Sequence, residues 1–211
     1  MVRVLGLNGS PRKKSTYCVI EKGLEAAAEI PGVETELLSL HGKDIRPCTG
    51  CGYCRKNKCG CVYRDDMQAL IDRFILADAY LIGSPVYVHS ITPQLMAFFS
   101  RLRPVTDLMP EKLRSKLGAA VAVGGTRNGG EEMAANQIIQ LMMARGFNIV
   151  SGETRGYIGG KVWAQEYPGF TADQDEIGMN TVTTLAQKLA ETAIIFKAGQ
   201  EALGMYERTE E

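Results

Sequence analysis

The chain has 211 residues, 45% of them hydrophobic, a length that suits one α/β domain and can bury a large core without disulfide staples. Lys plus Arg and Asp plus Glu both number 24, so no net field exists to draw nucleic acid or an anionic membrane. No apolar run approaches the roughly 18 residues that span a bilayer, and the opening Met1–Leu7 is too short for a signal peptide, so a cytoplasmic protein is expected.

Strand-like and helix-like stretches alternate along the chain. Val2–Leu7 is a short apolar run ended by Asn8-Gly9-Ser10-Pro11, and a helical pattern from Thr16 to about Ile30 is stopped by Pro31-Gly32. Val33–Leu40 alternates as a second strand. Residues from about 43 to 63 read as a long loop rich in Gly, Lys and Cys. Asp65 and Asp66 then supply carboxylates to the first turn of a helix that runs to about Leu76. Ala79–Gly83 is a third strand closed by Ser84-Pro85, followed by a helix from about Thr92 to Arg101. Leu117–Val123 is a fourth strand, Glu131 to Arg145 a helix stopped by Gly146, and Phe147–Val150 a short fifth strand. Residues 151–172 lack periodicity but hold Tyr157, Trp163 and Tyr167, which suit a surface cover or a subunit contact. Thr171-Ala172-Asp173-Gln174 resembles a capping box for a long C-terminal helix, after which a charged tail begins near Gly204. Five strands separated by helices imply a parallel sheet covered on both faces, in one domain spanning 1–211.

In open sheets of this kind, ligands bind beyond the carboxyl ends of the strands. Three loops leave strand ends with unusual composition: 8–16, 84–91 and 124–131. The first, Asn8 to Thr16, sits where a helix start offers unpaired N–H groups to a phosphate, with hydroxyls on Ser10, Ser15 and Thr16 and a charge on Arg12. It lacks both the Gly-Lys-Ser/Thr ending of a triphosphatase loop and the dinucleotide fingerprint. A polar turn with a Ser/Thr cap would have the same composition. In the second loop, Pro85, Val86 and Tyr87 can floor a flat ring, with Ser90 and Thr92 nearby. The third, Gly124-Gly125-Thr126-Arg127-Asn128-Gly129-Gly130, lets backbone approach a planar ligand closely.

Five of the six cysteines fall between positions 48 and 61, too close together for a framework that pins distant segments. Cys48, Cys51 and Cys54 form Cys-x2-Cys-x2-Cys, with Cys59 and Cys61 following. Three thiolates at that interval in a Gly-rich loop can wrap three corners of a four-iron cubane, and a fourth completes it. Structural zinc more often uses two separated pairs, and a cluster-free, thiol-rich subunit contact fits the same spacing. Cys18 reads as a small buried hydrophobe. His41 and His89 have no Ser or Asp partner at triad spacing; His89, inside the second loop, reads as positional.

Taken together, Gly9–Thr16, Gly83–Arg101 and Gly124–Gly130 resemble the NADPH-dependent FMN reductase family, in order and spacing, over roughly residues 1–150. The resemblance implies a flavodoxin-like three-layer α/β sandwich with a five-stranded parallel sheet. It implies that Ser10, Arg12, Ser15 and Thr16 hold the FMN phosphate, and that Pro85, Val86, Tyr87, Ser90, Gly125, Thr126, Arg127 and Gly129 hold the ring and ribityl chain. It treats Phe98 and Arg101 as packing and dimer-contact residues. The cysteines resemble those of the family's iron–sulfur flavoprotein branch, whose compact motif precedes an Asp-Asp-Met helix start, here Asp65-Asp66-Met67. That likeness implies a 4Fe-4S cluster on Cys48, Cys51, Cys54 and Cys61, with Cys59 an alternative fourth ligand. It further implies a homodimer or homotetramer that takes electrons from a ferredoxin-like donor or NAD(P)H and passes them to oxygen, peroxide or a quinone-like acceptor. A cluster-free NAD(P)H-dependent reductase and a flavodoxin-type carrier are the competing expectations.

Overall fold

Period-two burial along the central strands divides their side chains between two apolar layers. Leu5, Leu7, Tyr80, Ile82, Ala120 and Ala122 join one buried cluster, while Val2, Val4, Ala79, Leu81, Leu117, Ala119, Val121 and Val123 join the other. A computed structural model describes residues 1–126, 128–154, 158–165 and 171–205, and in it these strands are β1 (Val2–Asn8), β3 (Ala79–Pro85) and β4 (Leu117–Gly124). With β2 (Val33–Ser39) and β5 (Asn148–Ile149) they form a parallel sheet in the order β2-β1-β3-β4-β5. Helices α1 (Ser15–Ala28) and α7 (Glu176–Ala202) cover one face. Helices α3 (Met67–Phe74), α4 (Pro93–Arg101) and α6 (Glu131–Met143) cover the other, with α5 (Arg103–Leu108) continuing from α4. The result is the expected three-layer flavodoxin-like sandwich. Among the described residues, no helix is long and apolar enough to cross a membrane.

Three local expectations change. The stretch 151–172 holds a further strand, β6 (Gly160–Trp163), which pairs in parallel with Val121–Gly124 while β5 pairs with Leu117 and Gly118. Two short strands therefore share the fifth place beside β4. Trp163 lies in β6, whereas Tyr157 and Tyr167 fall outside the described residues. The cysteine loop contains a five-residue helix, α2 (Tyr53–Asn57), set between Gly52 and Lys58, both left-handed at φ +73° and +48°. The Thr171–Gln174 capping box exists but opens a 3-10 turn, Ala172–Gln174, rather than the long helix.

Helix α7 is capped instead by Asp175, whose Oδ1 accepts from the Gly178 amide at 3.1 Å while Oδ2 accepts from the Trp163 amide at 2.7 Å. One carboxylate thus satisfies a helix start and ties β6 to it. Asp175→Ala is expected to destabilise the protein by about 1–2 kcal/mol, and Thr171→Ala by clearly less, as read from urea unfolding midpoints.

Candidate functional site

The carboxyl ends of β1, β3 and β4 open onto a cavity of about 750 Å³, within the range of small-molecule sites. Its first wall is the loop from β1 to α1, held rigidly from below. Asn8 is fully buried, donating from Nδ2 to Ser39 Oγ at 2.8 Å and accepting the Ser10 amide at 3.2 Å. The Gly9 amide donates to the Gly83 carbonyl at 2.8 Å, and the Gly9 carbonyl accepts the Thr92 hydroxyl at 2.6 Å. A side chain at Gly9 cannot be fitted: its Cβ would stand 2.7 Å from the Gly83 carbonyl oxygen. Further along, Ser10 Oγ accepts the Arg12 amide at 3.1 Å, and His41, in the tautomer with a proton on Nδ1, donates to the Pro11 carbonyl at 2.7 Å.

Ser10, Arg12, Ser15 and Thr16 all line the cavity, and Lys14 joins them. No side chain caps the start of α1, so its first-turn amides are open toward that wall. From the second loop, Pro85, Val86 and Tyr87 line the cavity as expected. Tyr87 and Ser90 exchange backbone hydrogen bonds of 2.8 and 2.9 Å around Val88 and His89, which are left-handed at φ +49° and +60°. That tight turn presents Val88 and His89 to the cavity as well.

Ser90 is not among the lining residues: its hydroxyl donates to Gln137 Oε1 on α6 at 2.8 Å and so anchors the turn from behind. Thr92, placed near the ring from sequence, is likewise fully buried as the cap of α4, accepting the Leu95 amide at 3.2 Å. From the third loop Gly125, Thr126 and Gly129 line the cavity, and Arg127 lies outside the described residues. At Gly124 the Glu131 side chain packs where a Cβ would stand, so a larger residue there must displace that carboxylate. Sequence reasoning missed Ala164 and Gln165, which reach the cavity because the Ala164 amide bonds the Gly124 carbonyl at 2.7 Å at the end of β6.

The cysteines gather around a second, smaller cavity beside α4 and α5. Cys48, Cys51, Cys54 and Cys61 line it with Tyr63, Arg101 and Arg103; Cys59 does not, its thiol donating to the Gly60 carbonyl at 3.4 Å. Among the described residues, no three His, Cys, Asp or Glu side chains converge on a point that would hold one ion. Cys18, away on α1, is half-buried rather than buried, and burial leads the effects that push its thiol up.

Asp65 and Arg101 tie this loop to α4. The two carboxylate oxygens of Asp65 accept from Arg101 Nη1 at 2.6 Å and Nη2 at 3.0 Å, with both side chains at most 2% exposed. Arg101 Nη1 also donates to the Arg46 carbonyl at 2.8 Å, and the Asp65 carboxylate accepts the Arg46 and Met67 amides at 3.1 and 3.2 Å. Asp65 thus keeps its expected first-turn role through the Met67 amide and adds a buried fork to Arg101, while Asp66 accepts the Asp44 amide at 2.8 Å. Burial acts to raise the Asp65 carboxyl, but the Arg101 fork and the two amides outweigh it and hold the group below its ordinary value of 3.8.

Sheet order and a cavity at the strand ends define a protein of flavodoxin-like build, and the family match reported below makes it a flavin-dependent oxidoreductase. The solved structure of RosB, crystallised with a bound 8-demethyl-8-formylriboflavin-5'-phosphate intermediate, superposes with a TM-score of 0.71 at 15% identity, covering all of this chain and 88% of that one. A flavodoxin from the domain Archaea superposes at 0.55 and 13% identity, covering 92% and 99% of the two chains. Residues 2–155 match the NADPH-dependent FMN reductase family, and the chain belongs to it. An iron–sulfur flavoprotein of Methanocaldococcus jannaschii is 34% identical over 182 residues, 86% of this chain and 91% of that one.

The depressed Asp65 carboxyl makes stability depend on pH in one direction. Its contribution is complete above the ordinary carboxyl value of 3.8 and is lost as pH falls further, through the lowered folded value. Urea midpoints measured from pH 6 downward should therefore drop below about pH 4, and Asp65→Asn should lower the plateau while flattening that drop.

Proposed function

We propose that the protein is an iron–sulfur flavoprotein, a single domain over residues 1–211 that carries electrons between a four-iron cluster, FMN and a small acceptor. The observation that carries this reading is the pair of cavities, one walled by open amides and hydroxyls, the other by four cysteines and two arginines.

FMN suits the larger cavity on the chemistry of its walls. The uncapped amides of α1, the hydroxyls of Ser10, Ser15 and Thr16, and the Arg12 guanidinium would hold the dianionic phosphate. Pro85, Val86 and Tyr87 offer an apolar floor to the ring, and the backbone of Gly125, Thr126 and Gly129 offers polar groups to its rim. Arg127 belongs to the same loop by sequence, while Ser90 acts from behind it, holding the turn that presents Tyr87. Ala164 and Gln165 line the same cavity from the end of β6.

The cysteine cavity suits a 4Fe-4S cluster by its donor set. Cys48, Cys51, Cys54 and Cys61 would be the ligands, since Cys59 faces elsewhere. Structural zinc more often uses two separated Cys-x2-Cys pairs, whereas Cys48, Cys51 and Cys54 follow one another at single short intervals, which favours a cubane. Arg101 and Arg103 in the same wall offset the charge that four thiolates add. Gly50 and Gly52, left-handed at φ +69° and +73°, let the exposed Cys51 reposition on ligation.

When bound, the cluster supplies single-electron passage and FMN supplies the exchange between one- and two-electron chemistry. The donor is a ferredoxin-like protein or NAD(P)H, the latter supported by the family's own name, and the acceptor is oxygen, peroxide or a quinone-like molecule. A homodimer or homotetramer in a reducing cytoplasm fits the exposed Ile177 and Ile195 of α7 and the unpaired thiols.

An ultraviolet–visible spectrum with iron and sulfide analysis of anaerobically purified protein tests the reading. Bound flavin with four irons per chain supports it, whereas flavin without iron and bleached by NAD(P)H would select the cluster-free reductase. Cys51→Ser should abolish iron while retaining FMN, and Cys59→Ser should keep both. Arg12→Ala should weaken FMN binding roughly ten- to a hundredfold, as a lost hydrogen bond to a charged group implies, measured by flavin fluorescence quenching.

A further inference from the structure

Arg101 has five N–H donors, and its surroundings account for only part of them. Nη1 and Nη2 are engaged by Asp65 and by the Arg46 carbonyl, but Nε is buried with no hydrogen-bond acceptor among the described residues. A buried cationic donor left unmatched keeps its full desolvation cost, so an acceptor supplied later would be well rewarded. The guanidinium stands in the wall of the cysteine cavity, which Cys61 also lines, and the Cys61 thiol is among the groups that favour its charged form. Its orientation is over-determined: the fork to Asp65 fixes the plane, and the Tyr63 ring covers it at 5.2 Å from the centroid. Cys59 lies outside the lining of that cavity and turns its thiol to the Gly60 carbonyl.

We infer that Arg101 Nε is the hydrogen-bond donor to the Cys61 thiolate of the loaded cluster, making Cys61 the fourth ligand and holding the cluster at a higher potential than the thiolates alone would set. The inference rests on the iron–sulfur reading above. A donor and a positive charge beside a ligand sulfur stabilise the cluster more when it carries the extra electron, so their presence raises the potential. Arg101 is thus a positioning residue, acting on the cluster through Cys61.

The test is an anaerobic redox titration of the FMN- and cluster-loaded protein, followed by electron paramagnetic resonance, on wild type, Arg101→Gln, Arg101→Lys and Asp65→Asn. Arg101→Gln and Arg101→Lys both remove the Nε donor. Each should lower the potential so that the reduced-to-oxidised ratio at a fixed potential falls about tenfold, which is about 59 mV for one electron. Asp65→Asn loosens the same anchor but leaves Nε in place and removes a negative charge, so its potential should stay or rise. Arg101 variants that keep four irons at the wild-type potential overturn the inference. If Arg101→Gln does not fold, Arg101→Lys decides, because lysine keeps a link to Asp65. Iron lost from Arg101→Lys but kept in Asp65→Asn supports a direct role, and equal loss from both shows that Arg101 acts only as an anchor. Wild type without iron would sink the iron–sulfur reading itself, an outcome distinct from an unmoved potential.

Discussion

The two candidate sites are held by the two ends of one helix. At the start of α4 the Thr92 hydroxyl grips the Gly9 carbonyl at 2.6 Å and so fixes the loop that opens the larger cavity. At its end the Arg101 guanidinium grips Asp65 and Arg46, and so fixes the cysteine loop. Between them Leu95, Phe98 and Phe99 are fully buried in the core beneath the sheet. A nine-residue helix is about 13 Å long, which sets the spacing of the two anchors within one chain. The arrangement explains why a surface loop with few apolar residues of its own can have a defined shape. Its order is borrowed from α4 through a buried ion pair and through the Cys48 amide, which donates to Ser100 on the same helix at 3.1 Å.

Such a pair is a poor source of net stability, since both charges leave water, but it is a strong source of orientation. Five hydrogen bonds converge on the Asp65–Arg101 unit, and only one position of the loop satisfies them together. The same economy appears at Asp175, where one carboxylate serves the α7 amide and the β6 amide. In both places one acidic side chain joins two segments through several hydrogen bonds at once.

Most of the scaffold was legible in the order of residues. Val2–Leu7, Ala79–Gly83 and Leu117–Val123 are continuous apolar runs closed by Gly, Pro or Ser, as buried parallel strands must be. The loops between them carry the composition of a ligand cradle, and most of their expected residues do meet in one cavity. What could not be read depends on partners far along the chain. β6 is four residues with two polar neighbours, and its place is set by Thr181, which accepts the Lys161 amide at 3.0 Å, and by Asp175. Asp65 next to a helix start reads as a first-turn carboxylate, which it is, but its buried fork depends on a guanidinium 36 residues away. Ser90 sits in a cavity loop by sequence, yet Gln137, 47 residues on, takes its hydroxyl.

The division of the fifth sheet position between β5 and β6 has a consequence for how chains meet. Among the described residues, an outermost strand of two residues and a separate one of four expose only short rows of amides and carbonyls. A stray extended peptide finds too few consecutive groups there to zip onto, so this border of the sheet is guarded against runaway stacking into fibrils.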